Sequence, residues 1–285
     1  MESTSKVAVD RHCTRIPSSY LRNAPEALKL ASGAFSCKLM SLFIQALLFD
    51  LGGTLMHARN NWSPVQTRAD LVFAESLRTQ GVDIDPSQFA RTFRNRLLEY
   101  YIQREETLFE TTYLSVAKEL LAEQGYPTMT EADIRSALDA MFSITQKNWA
   151  IEPDAVPTLR ELEARGYRLG LVSNAGDNQD VFQLAEKFGI EPFFDFILTS
   201  AACSYRKPHT RIFELAVAHW RMPPYEIAMV GDTLEADILG AQNAGLFSIW
   251  ITRRANPKAD HMQRIKPDLS LPALADIPAA LSRLR

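Results

Sequence analysis

Five short, mostly apolar runs, each stopping at a polar residue, constrain this chain more than any other feature. The first covers 42–49, is broken only by Gln45, and ends at Asp50, which Leu-Gly-Gly-Thr follows. The others, 168–172, 194–198, 227–230 and 247–251, lead into Ser173-Asn174, Thr199-Ser200, Gly231-Asp232 and Thr252-Arg253. Runs of this kind suit strands covered on both faces, as in a parallel sheet. A short buried helix is the competing reading of the first run, and Gly52-Gly53 cuts that run off abruptly. Helical patterns at 156–165, 178–188, 210–220 and 234–244 lie between or after the runs. Strand alternating with helix predicts an α/β, doubly wound parallel sheet, with right-handed crossovers that bring the strand C-termini to one edge.

Residues 59–151 interrupt the alternation. Helical patterns at 67–80, 88–104, 113–124 and 131–149 follow one another, punctuated by Gly81, Gly125-Tyr126-Pro127 and Pro153. They predict a separate helical lobe inserted after the first strand, which splits the core into 41–58 and 152–285. The leader, 1–40, mixes Ser, Thr, Arg and Lys without sustained periodicity and reads as a poorly ordered extension. It lacks the apolar stretch of a secretory signal, and Glu2, Asp10 and Glu26 argue against a transit peptide. The apolar run at 39–49 is too short to span a bilayer.

A net charge of −3 over 285 residues leaves no basic footprint, so neither nucleic acid nor membrane is an expected partner. Cys13, Cys37 and Cys203 are scattered, which suggests neither a disulfide framework nor a zinc site and fits a reducing, cytoplasmic setting.

The polar residues at the strand ends are Asp50 with Thr54, Ser173 with Asn174, Lys207, and Asp232 with Asp237. Singly, each has an ordinary structural role: a helix cap, a turn, a solvated loop. Together, at the edge where an open parallel sheet binds ligands, they suggest phosphoryl transfer. Asp50 and Asp232, brought together, can hold Mg²⁺, which takes one or two carboxylates plus water and phosphate oxygens. A carboxylate beside that metal can attack phosphorus. Lys207 would neutralise the transferring oxygens, with Ser173 and backbone N–H groups after the first strand beside it. Gly52 and Gly53 allow the backbone to come that close.

The set Asp50-Leu-Gly-Gly-Thr54, Ser173-Asn174, Lys207-Pro208 and Gly231-Asp232-Thr-Leu-Glu-Ala-Asp237 resembles the haloacid dehalogenase superfamily of hydrolases. The likeness runs over about 42–278, and the last motif is the most specific. The inserted lobe resembles the subclass with a four-helix cap, similar to the phosphoglycolate phosphatases. The resemblance implies Asp50 as nucleophile and metal ligand and Lys207 as the group steadying it. It implies Gly53, Thr54, Ser173 and Asn174 around the phosphate. It implies Asp232 on Mg²⁺, Asp237 acting through water or on Lys207, and the Gly52 carbonyl as a further metal ligand. The substrate implied is a small phosphorylated metabolite.

One position departs from the pattern. The family's phosphatases usually carry a second aspartate where this chain has Gly52, and that carboxyl protonates the leaving oxygen and then activates water. Losing a positioned acid–base group typically costs about 10²–10⁴ in rate. The expected enzyme is therefore a Mg²⁺-dependent phosphatase working through an aspartyl phosphate. Its acid would come from His57, from Asp177 or from the substrate, or an acyl phosphate would leave without one. A weakened binding or regulatory protein and a 2-haloacid dehalogenase are the alternatives. In the lobe, Arg91, Arg94, Arg96 and Arg104 could reach an anionic substrate or form a solvated face. Phe89, Phe93, Leu97 and Tyr101 recur at helical spacing and are expected in its core, while Trp62 and Trp149 are expected to pack near its hinges.

Overall fold

A computed structural model of the protein describes residues 43–284; the leader, 1–40, lies outside the described residues. Strand β1 (Ala46–Phe49) is shorter than the run that foretold it: Phe43 is exposed, and Gln45, just before the strand, already bonds through its N–H to Glu226 O at 2.8 Å and through its carbonyl to Arg168 N at 3.1 Å. After a tight turn comes β2 (Met56–Ala58). Four helices follow: α1 (Trp62–Thr79), α2 (Pro86–Thr107), α3 (Tyr113–Glu123) and α4 (Glu131–Thr145). The side chains of Asn61, Asp85, Thr112 and Thr130 cap their N-termini by accepting hydrogen bonds from the first turn, each contributing about 1 kcal/mol. The last helix stops at Thr145, short of the expected 149. A 3₁₀ turn then leads into β3 (Trp149–Ile151), which pairs antiparallel with β2. The chain thus leaves and re-enters the core through this two-stranded hinge.

The remaining elements are α5 (Ala155–Ala164), β4 (Arg168–Ser173), α6 (Asn178–Lys187), β5 (Phe196–Thr199), α7 (Ser200–Cys203), α8 (Thr210–Trp220) and β6 (Ile227–Gly231). A six-residue π-helix (Leu234–Leu239) then leads into α9 (Gly240–Asn243). The chain closes with β7 (Phe247–Ile251), α10 (Ala259–Arg264), β8 (Leu269–Leu271) and α11 (Ile277–Ser282).

Six strands form one parallel sheet in the order β5-β4-β1-β6-β7-β8. The strand order reverses at β1, so a crevice opens at its carboxyl end, between β4 and β6. Alternate residues of each strand face opposite layers. Leu47, Phe49, Leu169, Leu171 and Val230 pack with Leu159 of α5 and Leu184 of α6. Ala46, Leu48, Val172 and Met229 pack with Ile212 and Phe213 of α8 on the other side. Leu47, Leu48 and Phe49 are fully buried, worth about 1.5–3 kcal/mol each. The four helices α1–α4 bury a core of their own, in which Phe73, Phe89, Phe93 and Leu97 meet Leu120, Leu138 and Met141. No helix among the described residues is long and apolar enough to cross a membrane.

Candidate active site

Strand β1 delivers Asp50 to the switch point, where the backbone N–H of Asp50 still bonds to Val230 O at 2.9 Å. From the β5 side, Lys207 reaches in and is almost wholly buried. Its ammonium donates to Asp50 Oδ1 at 2.7 Å and to Val172 O at 2.8 Å, and it forms an ion pair with Asp237, with Nζ 2.7 Å from Oδ1. Burial disfavours the lysine charge, but the two carboxylates outweigh it and raise its pKa. Asp50 Oδ2 has no hydrogen-bond partner among the described residues.

Carboxylate oxygens of Asp50, Asp232 and Asp237 lie within 4.8 Å of one another. Burial first, and then the Asp50 and Asp237 charges, push Asp232 up to about 7. Burial likewise raises Asp237 to about 6, against the pull of Lys207. Three carboxylates crowded around one lysine are short of positive charge, a donor set suited to a hard divalent cation. The backbone leaves no room for larger residues here. Gly53 has φ 91°, and a Cβ there would overlap the Asp232 carboxylate, while one at Gly231 would overlap Asp237. The turn into the π-helix holds Asp237 in place, its Oδ2 accepting from Thr233 N at 3.0 Å.

Thr54 and Asn174 stand beside the cluster. Thr54 is buried, with its hydroxyl 3.5 Å from Asp232 Oδ1, on the acidic cluster. Asn174, expected at the phosphate, has its amide engaged with the main chain of Lys207: Nδ2 donates to Lys207 O at 2.9 Å, and Oδ1 accepts from Lys207 N at 2.8 Å. Ser173 ends β4 on the same edge and, with Asp50, Gly52 and Lys207, borders a cavity of about 570 Å³ between the sheet edge and the four helices.

Trp149 was expected only to pack at a hinge, and it does more. It packs edge-on against Trp62, with ring centroids 4.9 Å apart, and both rings border the cavity. A Cβ on Gly52 would lie 3.2 Å from Trp149 Cη2, inside ordinary van der Waals contact. The space beside Gly52 is therefore walled by indole. Each of the two residues named as a substitute acid has an ion-pair partner, and Asp177 borders the cavity. His57 Nδ1 lies 2.8 Å from Glu152 Oε1 at the hinge, away from the cavity. Asp177 caps α6 and is paired with Arg135 of α4.

Sequence reasoning also missed Glu110. Its buried carboxylate accepts from Tyr100 OH at 2.6 Å and Ser200 Oγ at 2.5 Å, and it is paired with Arg206. Around it, Glu110 N bonds to Ser204 O and Arg206 N to Leu108 O, both at 2.9 Å, which docks the segment between α2 and α3 onto the core. Residues so far apart in the chain leave no local signal of such a junction.

The family model for haloacid dehalogenase-like hydrolases matches residues 44–245, which include every residue of this cluster. The chain belongs to that family. Among curated relatives, this hydrolase is 29% identical over 202 residues to the glyceraldehyde 3-phosphate phosphatase of Methanothermobacter thermautotrophicus, covering 66% of this chain and 89% of that one. It is 29% identical over 207 residues to the ribulose-1,5-bisphosphate 5-phosphatase of Halopiger xanaduensis, covering 72% and 83%. Among solved structures, the 2-haloacid dehalogenase from Pseudomonas syringae shares the fold of the hydrolase with a TM-score of 0.61 at 23% identity, over 85% of this chain and 100% of that one.

Proposed function

We propose that this hydrolase is a phosphatase of small phosphorylated metabolites, with Asp50 as nucleophile. The observation that carries the reading is the meeting of the Asp50, Asp232 and Asp237 carboxylates beside buried Lys207. Asp50, Asp232 and the Gly52 carbonyl would hold Mg²⁺, with Asp237 acting through water or through its ion pair with Lys207. Bound Mg²⁺ would supply charge neutralisation for the phosphoryl oxygens.

An Asp50 carboxylate oxygen attacks phosphorus, and the bond from phosphorus to the leaving oxygen breaks, giving an aspartyl phosphate. Water then hydrolyses that acyl phosphate, releasing inorganic phosphate and restoring the carboxylate. Lys207 stands beside Asp50 throughout and balances the charge on the transferring group, while Ser173 and the backbone after β1, including Gly53, cradle it. Asn174 acts through Lys207, by fixing its main chain. Lacking an acid at Gly52, the enzyme turns over acyl phosphates, which leave unprotonated, faster than alkyl phosphates. The phosphatase names of the two curated relatives support the reaction class.

The test is release of inorganic phosphate from acetyl phosphate and a panel of alkyl phosphates, with and without Mg²⁺. The expected result is Mg²⁺-dependent turnover that Asp50→Asn abolishes, and a Mg²⁺-induced rise in Tm that Asp232→Asn removes. No turnover together with no Mg²⁺ effect on Tm would leave a binding protein. Halide release from 2-haloacids is expected to be absent, and its presence would assign a dehalogenase.

A further inference from the structure

Four cationic side chains border the cavity: Arg94, Arg104, Arg206 and Lys207. Three are already neutralised. Arg94 makes a bidentate pair with Asp70, at 2.7 Å through both Nε and Nη2. Arg206 is paired with Glu110, and Lys207 with Asp50 and Asp237. Arg104, in the last turn of α2, has no carboxylate partner among the described residues, and its Nε is buried without an acceptor. The other arginines expected to reach an anion do not compete: Arg96 pairs with Glu123 on the outer surface, and Arg91 is exposed, outside the cavity lining.

The guanidinium of Arg104 is held in place. Its centre lies 4.0 Å above the Tyr101 ring and 5.7 Å from that of Tyr100. Stacking of this kind orients the fork and leaves its edge free for a planar or tetrahedral oxyanion. Beside it, the hydroxyls of Tyr101 and Tyr113 are 2.7 Å apart. One phenol donates to the other, and the acceptor keeps its own proton to give elsewhere. Burial holds Tyr113 protonated. This wall of the cavity therefore offers donors that lack acceptors. Glu105, the neighbouring acid, borders the cavity as an exposed residue.

We propose that Arg104, with the Tyr101–Tyr113 pair, is a specificity subsite for a second oxyanion, so that the substrate carries a carboxylate or second phosphate besides the phosphate removed at Asp50. The inference rests on the phosphatase reading and adds the substrate class to it. The cavity is large enough for a compact molecule with an anion at each end.

The test is calorimetric titration of the full chain in Mg²⁺ with non-hydrolysable probes: methylphosphonate, phosphonoacetate and propane-1,3-bisphosphonate. A charge-assisted contact at Arg104 makes one two-anion probe bind roughly 10- to 100-fold tighter than methylphosphonate, and which of them does so distinguishes carboxylate from phosphate. Arg104→Gln reduces that preference to within about twofold, Arg104→Lys restores part of it through its point charge, and Arg91→Gln leaves it as in the parent. Equal affinities in the parent, or a preference that survives Arg104→Gln, would overturn the proposal. Acetyl phosphate hydrolysis by the parent separates the two levels. Turnover without a two-anion preference refutes only this subsite, whereas no turnover of any phosphate refutes the reading beneath it.

Discussion

Placing a carboxylate at position 52 tests whether Trp149 keeps that space closed. In Gly52→Asp the new Cβ lies 3.2 Å from Trp149 Cη2, with Cζ3 and Cζ2 at 3.8 and 3.9 Å, so the indole edge must move before the carboxyl can point at the leaving group. Forcing extra atoms into such a contact costs about 1–3 kcal/mol. Drawn from the catalytic conformation, that cost cancels roughly 10- to 100-fold of the 10²–10⁴ gain expected from a positioned acid–base group. Trp149→Leu removes the obstruction, at the expense of an edge-on aromatic contact with Trp62 worth about 0.5–1.5 kcal/mol. The expected order of kcat on an alkyl phosphate is parent, then Gly52→Asp, then the double variant, which exceeds the single variant by roughly 10- to 100-fold and the parent by about 10²-fold or more. Trp149→Leu alone gains nothing, and acetyl phosphate gains less than the alkyl phosphate throughout. Steady-state phosphate release with the four proteins decides it. If the single variant matches the double, Trp149 is not the obstruction, and if neither exceeds the parent, the missing acid at 52 is not what limits the chemistry.

Two further outcomes follow from buried carboxyls. Asp180 borders the cavity and accepts from Gln146 Nε2 at 2.8 Å, and burial raises it from 3.8 to about 7. An acid whose folded pKa is raised contributes stability below its unfolded pKa and loses that contribution as pH rises through the folded value. Tm should therefore fall between pH 5 and pH 8, and Asp180→Asn, which cannot ionise, should flatten that fall by a few degrees; an unchanged slope would show that Asp180 does not titrate there. Glu110→Ala leaves Arg206 without its partner and should cost about 3 kcal/mol, a fall in Tm of roughly 5–10 °C by calorimetry. A fall below about 2 °C would mean that the docked segment is held by its backbone bonds alone.

The sheet and the acidic cluster around Lys207 were legible because each rests on a local signal. Mostly apolar runs mark strands covered on both faces, and a polar residue at the end of each run marks the edge where ligands gather. Asp50, Lys207, Asp232 and Asp237 meet because the strand order does the long-range work. Asn174 was legible as a residue of that edge, whereas its two hydrogen bonds to the Lys207 main chain were not, since a side-chain amide serves phosphate and main chain equally well. The hinge strands β2 and β3 are three residues each, too short to show a period of two. The fourth cap helix was overrun because the apolar spacing continues past Thr145, where the Gln146 side chain turns away to Asp180 and Gln183. Nothing in 234–244 distinguishes a π-turn from an α-turn. Trp149 over Gly52 and Glu110 on Arg206 are facts of packing between distant segments, and no spacing in the chain encodes them; nor does any encode that Arg104 has no carboxylate partner among the described residues.

The docking of Glu110 bears on how molecules come and go. To lift the four helices from the sheet edge, the chain must strip the Glu110 carboxylate of two donors, Ser200 and Arg206, while Tyr100 of α2 moves with it, and must rehydrate both it and the arginine it neutralised. If the helices lift for each turnover, entry and exit carry that cost apart from the chemistry at the sheet edge.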